Sequence, residues 1–314
     1  MLTRFENIQK AKSYSDEVIG QLRADLSELN SAFPNAATIV VGSLARREAS
    51  PLSDLDYFVV YGSTAPDRSY LEQVNAVMER IGLRPPALDG AFAELVSKDG
   101  LLESIGGSEE SNRDLTRRML LLLESDWVTG EAIFNETIDG VIQRYIRDEI
   151  TQHQLARFFL NDVIRYYRTI CVDFEYKTVH AKKSWGDRNI KIMFSRKLLY
   201  FSGVLAAAQT TQSDCGFKRS ELRRLLRKCP IDRIYDVAGT DAERALARYD
   251  QFLGWMADTA AREVLRNTTA DRLNNHTSQF REMKNSGHHF SWELESLLHR
   301  RYAPTQPIFQ ALIL

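Results

Sequence analysis

The spacing of apolar and polar positions divides the chain into a first part with strands and a long helical remainder. Apolar residues recur three and four positions apart from about Phe5 to Leu29, which predicts an opening helix. Two β-branched runs follow, Thr38–Val41 and Asp54–Tyr61, and a glycine closes each of them, so both are predicted strands. A second helix is predicted around Tyr70–Ile81, ending at Gly82.

From Asp114 onward the pattern is almost wholly helical. Apolar positions at helical spacing predict helices near residues 114–125, 142–174, 190–208, 218–228, 241–265 and 291–300. His288-His289 is predicted to lie in a loop before the last of them, and the Pro- and Gly-rich stretch between Gly82 and Gly107 receives no assignment. We therefore predict an α+β chain, with a small mixed sheet in residues 1–135 and a mostly α-helical domain in residues 136–314.

Charge is divided at nearly the same place. The chain has 41 Lys and Arg against 42 Asp and Glu, but residues 1–130 hold 13 basic and 20 acidic residues and the remainder holds 28 and 22. With 44% hydrophobic residues, this composition excludes a disordered chain, and the balanced total excludes a generally basic nucleic-acid coat. No apolar run approaches the roughly 20 residues of a membrane span, and the three cysteines form no Cys-x-x-Cys pair. These features predict a cytoplasmic protein with reduced thiols and without a membrane partner.

Candidate chemistry is concentrated in residues 40–60, VVGSLARREASPLSDLDYFVV. Gly42-Ser43 ends the first predicted strand and begins a turn, where a glycine lets a phosphate approach the backbone closely. Asp54 and Asp56 are two residues apart on the second predicted strand, so both carboxylates project from one face. Such a pair is favourable when divalent cations lie between the carboxylates.

Arg46 and Arg47 lie between these two elements and can complement a polyphosphate. Taken singly, a Gly-Ser turn or an Asp-x-Asp pair is more often structural than functional. The ordered combination of strand, Gly-Ser, arginine and Asp-x-Asp is more specific. It is the set that phosphoryl or nucleotidyl transfer requires, in which two Mg²⁺ ions about 4 Å apart hold the attacking and leaving oxygens.

At these residues the sequence resembles the nucleotidyltransferase superfamily to which DNA polymerase beta belongs. It is similar in particular to the branch that contains the uridylyltransferase of nitrogen regulation. The resemblance lies in residues with the spacing of that branch, which are Gly42, Ser43, Arg46, Glu48, Ser53, Asp54 and Asp56. Ala45 departs from the branch, where glycine is usual. The resemblance implies a nucleotidyltransferase catalytic domain, followed by a helical domain that binds the substrate.

The same resemblance implies a third carboxylate, which completes the metal site or acts as general base. Glu124 is our choice, because it ends an apolar stretch that precedes a small-residue turn. Asp126 is the competitor and Asp89 a further alternative. A purely structural role for Glu124 is an equal alternative.

In related enzymes the helical domain supplies a basic residue to the nucleotide phosphates. The resemblance suggests Lys191 or Lys197 for that role, in a basic segment that also contains Arg196. For any single one of these residues, a solvated helix charge is the competing interpretation.

The sequence thus predicts a Mg²⁺-dependent nucleotidyltransferase, with Mn²⁺ as an alternative metal, that transfers an NMP from an NTP to an acceptor hydroxyl. Asp54, Asp56 and Glu124 are the predicted catalytic and metal-binding residues. The predicted substrate-binding residues are Gly42, Ser43, Arg46, Ser53, Lys191 and Lys197. A protein acceptor is favoured, as in AMPylation or UMPylation, and a homo-oligomer is compatible with the sequence. The alternatives are an RNA 3′ end, a small-molecule acceptor, or a non-catalytic nucleotide sensor or partner-binding module.

Overall fold

The structure, a computed structural model, describes residues 4–83, 94–103, 105–180, 184–270 and 276–313. The strands are β1 Ala36–Val41, β2 Asp56–Tyr61, β3 Leu95–Ser97 and β4 Ser125–Trp127. The helices of the first part are α1 Glu6–Asp25, α2 Leu29–Ala32, α3 Gly42–Ala45, α4 Arg68–Arg80, α5 Lys98–Glu103, α6 Asn112–Leu123 and α7 Glu131–Tyr145. The later helices are α8 Arg157–Val179, α9 Trp185–Lys191, α10 Lys197–Ala208, α11 Cys215–Leu226, α12 Pro230–Ala238, α13 Glu243–Ala257, α14 Thr259–Asn267, α15 Ser278–Arg301 and α16 Pro307–Ile313.

The four strands form one mixed sheet in the order β3-β2-β1-β4. β1 is antiparallel to both of its neighbours, and Val41 at its end lies opposite Asp56 on one side and Ser125 on the other. β2 and β3 are parallel. The end of β1 and the starts of β2 and β4 therefore meet at one end of the sheet. This register brings Gly42, Asp56 and Glu124 into one neighbourhood, although 82 positions separate the first from the last.

The two faces of the sheet pack against different helices, because successive side chains of a strand point to opposite faces. Tyr57 and Val59 belong to a smaller buried cluster on one face, together with Leu22 of α1 and Val74 of α4. Phe58 and Val60 belong to the largest buried cluster, which continues through the later helices to α16. The helical remainder thus packs directly on the face of the sheet that carries Asp56.

The predicted fold class is confirmed, since a small mixed sheet is followed by a mostly helical remainder. The predicted domain boundary near residue 135 stays a prediction; α7 Glu131–Tyr145 crosses it, and the largest buried cluster draws residues from both sides. In the described part of the chain, no helix has the length and apolar content of a membrane span.

Several predicted element bounds are wrong. His288-His289 lies inside α15 and not in a loop, because Phe280, Phe290 and Leu294 keep an apolar face through this segment. The helices predicted over 142–174 are α7 and α8, but α7 begins earlier, at Glu131. Strand β2 begins at Asp56, so Asp54 precedes the strand.

Helices α9 and α10 are joined without a break by a π-helical turn, Ile192–Arg196. Phe194 anchors this turn, since its ring stacks on Phe252 and Phe290 with centroids 4.9 and 5.2 Å apart. Single π turns inside helices are frequent at functional sites. Here the turn lies between Lys191 and Lys197 and contains Ser195 and Arg196, the residues that approach the end of the sheet.

Candidate active site

Gly42 and Asp56 form the centre of the candidate site. Gly42 follows β1 with a φ of +69°, a conformation that favours glycine. A Cβ atom at this position would lie 2.9 Å from Oδ2 of Asp56, too close for an unstrained contact. Two features therefore favour glycine at this position: its positive φ and the carboxylate packed beside it. This supports the importance of Gly42 that the motif predicts, and ties it to the position of Asp56.

Two cavities meet at Asp54 and Asp56. The small pocket, of about 130 Å³, is lined by Gly42, Ser43, Ser53, Lys191, Arg196 and Arg262, among others. The large cleft, of about 1000 Å³, is lined by Tyr166, Val172, Tyr176, Lys191 and Arg196, among others. Both aspartates line both cavities. A group held by these carboxylates therefore faces a confined polar space on one side and an open cleft on the other.

The electrostatic state of the two aspartates differs. Asp54 is exposed, whereas Asp56 is partly buried. Burial raises the pKa of Asp56 from its ordinary 3.8 to about 6, with Glu124 and Asp54 adding to the rise and Arg196 and Arg46 opposing it. Burial disfavours the charged form of a carboxylate, and a cation placed beside the carboxylate favours it. A divalent cation bound at Asp54 and Asp56 would have this effect.

Glu124 lies next to this pair, but its carboxylate is fully engaged with side chains of the protein. It is 1% exposed, and Arg196 donates to both of its oxygens at 3.1 Å. The hydroxyl of Tyr166 donates to Oε1 at 2.9 Å, and Arg46 donates to Oε2. Burial would raise the pKa of Glu124, but Arg196 and Arg46 outweigh it, so the pKa lies below its ordinary value. Glu124 is an ionised anchor for two arginines.

Arg46 is buried with this anchor. Its Nε donates to Glu48 at 2.8 Å, and Ser195 of the π turn donates to the same oxygen at 2.9 Å. The side chain is 6% exposed and shared between Glu48 and Glu124. The Arg-x-Glu of the motif therefore forms a buried link between the sheet and the helical remainder. Arg46 and Glu48 also line the small pocket, so the predicted role of Arg46 in substrate binding stays a prediction.

The two predicted phosphate-binding lysines lie in different surroundings. Lys191 lines both cavities and pairs with Asp187 at 2.8 Å. Lys197 donates to Ser291 at 2.5 Å and is not among the residues that line either cavity. The structure thus brings Lys191 to Asp54 and Asp56 and leaves Lys197 away from them.

The alternatives for the third carboxylate are not brought to the aspartate pair. Asp126 pairs with Arg23 at 3.0 Å and with Arg47 at 2.6 Å, on β4 beyond Glu124. Asp89 lies outside the described residues. Among the residues that the structure describes, no three His, Cys, Asp or Glu side chains are grouped to hold a metal ion. Of the three predicted metal-binding residues, Asp54 and Asp56 line the cavities, and the role of Glu124 as a metal ligand stays a prediction.

Two arginines that line the site belong to no sequence motif. Arg196 lines both cavities, and Arg262 of α14 lines the small pocket. The sequence places Arg196 in the basic segment but predicts no specific role for it. Arg262 follows the motif by more than 200 positions, and only the packing of α14 against α9 brings it to the site. Sequence spacing contains no signal for such a contact.

Comparison with known families agrees with this geometry. Residues 19–98 match the model of the nucleotidyltransferase domain. The matched range contains β1, α3, β2 and β3 with Gly42, Asp54 and Asp56, whereas Glu124, Lys191 and Arg262 lie beyond it. No curated protein matches the chain. The match supports the nucleotidyltransferase superfamily, and with it a transferase whose general activity is transfer of a nucleoside monophosphate.

Proposed function

We propose that this protein is a Mg²⁺-dependent nucleotidyltransferase of the EC 2.7.7 type that transfers an NMP from an NTP to a hydroxyl group of a protein. The observation that carries the proposal is that Asp54 and Asp56 line both cavities. An α-phosphate bound at this pair would have its leaving group on one side and its acceptor on the other, the arrangement that in-line displacement needs.

The donor set fits a magnesium ion that arrives with its nucleotide. Mg²⁺ is usually bound by one or two carboxylates together with phosphate oxygens and water, and not by a cage of protein ligands. Asp54 and Asp56 are such a pair, and burial raises the pKa of Asp56, a penalty on the charged form that a bound cation would offset. The metal would polarise the phosphate and stabilise the charge that develops during transfer.

The protein's own side chains bind and orient the reactants. Gly42 and Ser43 place backbone beside the phosphates, and Lys191 and Arg196 bring positive charge to the same point. Glu124 holds Arg196 in place through both carboxylate oxygens. In the reaction the acceptor hydroxyl releases its proton to water in the open cleft, and its oxygen bonds to the α-phosphorus. The bond from that phosphorus to the bridging oxygen breaks, and pyrophosphate leaves.

The charges of the large cleft favour a protein acceptor over RNA. Each of its basic lining residues pairs with a carboxylate; the pairs are Arg113–Glu94, Lys177–Asp173, Arg188–Asp173, Lys191–Asp187 and Arg196–Glu124. Val172 and Tyr176 on its wall are 71% and 63% exposed. An RNA backbone binds unpaired cations, whereas apolar side chains suit a polypeptide. The resemblance to the uridylyltransferase branch points the same way.

Incubation with each α-³²P-labelled NTP and Mg²⁺ in extract of the source cells tests the proposal. We expect label in protease-sensitive, nuclease-resistant material with the unmodified protein, and none with Asp54→Asn/Asp56→Asn or with EDTA. Asp99→Asn, an exposed carboxylate on α5, is the control and should label normally. Mass spectrometry of the labelled band then identifies the base and the modified residue.

The contrary outcomes are distinct. Label that ribonuclease removes would replace the protein acceptor with RNA. Tight NTP binding without turnover, unchanged by EDTA, would identify a nucleotide sensor and overturn the proposal.

A further inference from the structure

The small pocket collects positive charge that the proposed chemistry has not yet used. Lys191, Arg196 and Arg262 line it together with Gly42 and Ser43. Burial lowers the pKa of Lys191, and Arg262 and Arg196 lower it further against the opposing effect of Asp187. Arg46 also lines the pocket, and the carboxylates of Glu48, Asp54 and Asp56 supply part of the counter-charge for its four cations.

Most charges of the pocket have their partner within the protein. Glu48 pairs with Arg46, Arg196 with Glu124, and Lys191 with Asp187. Arg262 differs from them. Within the described residues it forms no ion pair, its Nη1 contacts only the carbonyl oxygen of Leu52 at 3.4 Å, and its buried Nε has no hydrogen-bond partner.

Arg117 and Arg118 also have an unsatisfied buried nitrogen, but each of them pairs with a carboxylate through another nitrogen, which Arg262 does not do in the described part of the chain. Buried polar groups are paired in the great majority of cases, because an unpaired one keeps its full desolvation penalty. Arginine presents several N–H groups in a planar fork that matches phosphate. The unused donor and the unpaired charge of Arg262 therefore indicate an anion that is bound during the reaction cycle.

The size of the pocket restricts that anion. At about 130 Å³ the small pocket is much smaller than the large cleft, so it suits the phosphates of an NTP better than its nucleoside. The large cleft of about 1000 Å³, on the other side of Asp54 and Asp56, has room for base, ribose and acceptor. We infer that Arg262, with Lys191, binds the β- and γ-phosphates of the NTP and holds the pyrophosphate as it leaves.

This inference rests on the proposed function. It assigns binding of the leaving pyrophosphate to Arg262, which lies outside residues 19–98 that match the family model. When the bond between the α-phosphorus and the bridging oxygen breaks, both electrons stay with the pyrophosphate. The new negative charge then lies beside the one cation of the pocket that has no carboxylate partner in the described part of the chain. Arg262 thus stabilises a charge that grows during transfer, which is the condition for lowering the barrier.

Calorimetric titration of the full chain with inorganic pyrophosphate in Mg²⁺ tests the assignment. We expect Arg262→Gln to weaken pyrophosphate binding at least tenfold and Arg262→Lys to restore part of the loss. Arg266→Gln is the matched control, since Arg266 is exposed one turn further along α14, and it should leave binding unchanged. Thermal melts of all variants show whether the fold is intact.

A second ligand separates phosphate recognition from general damage. An NMP has no β- or γ-phosphate, so its affinity should be the same in Arg262→Gln and in the unmodified protein. Equal loss of NMP and pyrophosphate binding, or unchanged pyrophosphate binding in Arg262→Gln, would overturn the inference. The result is independent of transfer: Arg262-dependent pyrophosphate binding without labelling of any acceptor would uphold this site and refute the proposed activity.

Discussion

Oδ2 of Asp56 lies 2.9 Å from the point that a Cβ atom on Gly42 would occupy. The first residue after β1 and the first residue of β2 are thus packed so closely that a side chain on Gly42 would displace the carboxylate of Asp56. The glycine turn and the acidic pair look like separate features in the sequence, but in the structure Gly42 and Asp56 are in close contact.

Replacing Gly42 by alanine should therefore affect the site more than the fold. Gly82 is the matched control, because it also has a positive φ, of +74°, but nothing lies within 4 Å of its added Cβ. Gly82→Ala should cost about 1–2 kcal/mol of stability through backbone strain alone. Gly42→Ala should add displacement of Asp56 and lower the transfer rate about 100-fold. Denaturant titration and labelling assays measure the two effects; equal activity in both variants would contradict the steric link.

Asp56→Asn should stabilise the metal-free protein at neutral pH. Burial raises the pKa of Asp56 from 3.8 to about 6, so the ionised carboxylate destabilises the fold above pH 6, by roughly 3 kcal/mol at most. For an acid with a raised pKa, this penalty is absent below the unfolded pKa and complete above the folded one. The difference in unfolding free energy between variant and parent should therefore shrink from pH 8 to pH 4.

Two controls accompany this measurement. Asp54→Asn, at an exposed position, is the control for loss of one carboxylate at this site. Mg²⁺ should raise the melting temperature of the parent and not of Asp56→Asn. A gap between variant and parent that stays constant from pH 4 to pH 8 would show that the carboxylate is not the cause.

Glu124→Gln should destabilise the protein strongly. The substitution leaves Arg46 and Arg196 near a neutral side chain in a buried site, and breaking such a pair costs about 3–5 kcal/mol. Asp126→Asn is the comparison, since the side chain of Asp126 is 16% exposed whereas that of Glu124 is fully buried, and we expect a smaller loss of about 1 kcal/mol. Urea unfolding measures both. A stable Glu124→Gln that has lost only its transfer activity would instead identify Glu124 as the third catalytic carboxylate.

Lys191→Met and Lys197→Met should separate the two lysines that the basic segment offers. Lys191 lines the small pocket, so its loss should weaken NTP binding about 10- to 100-fold. Lys197 contacts Ser291 away from both cavities, so its loss should leave NTP affinity unchanged. Fluorescence titration with a labelled nucleotide compares them. Equal affinities in the two variants would show that Lys191 has no contact with the phosphates.

The sequence was sufficient for the part of the site that is local in the chain. Gly42, Asp54 and Asp56 lie within fifteen positions, and the turn and strand that hold them have recognisable patterns. The sequence pattern does not predict strands β3 and β4, because each has only three residues, too few for an alternating pattern. Each of them pairs with a strand that the sequence does predict: β3 pairs with β2, and β4 pairs with β1.

The remaining residues depend on tertiary packing. Glu124 was chosen from the sequence, but its engagement with Arg46, Arg196 and Tyr166 follows from how α8 and the π turn lie on the sheet. Arg262 enters through α14, which no motif connects to the first strands. Charge in a sequence shows that cations are present, and only the fold decides which of them stays unpaired.

Because of the π turn at Ile192–Arg196, the number of residues in the continuous helical segment from α9 to α10 matters for the site. Each residue of an α-helix turns the chain by about 100°. Deleting one residue here to restore regular α-helix would rotate Lys191 away from the small pocket while every side chain of the site stayed in the sequence. A single-codon deletion could therefore disable phosphate binding in a protein that still folds, and an alignment that slides a gap through this segment would pair functional lysines with solvent-facing ones.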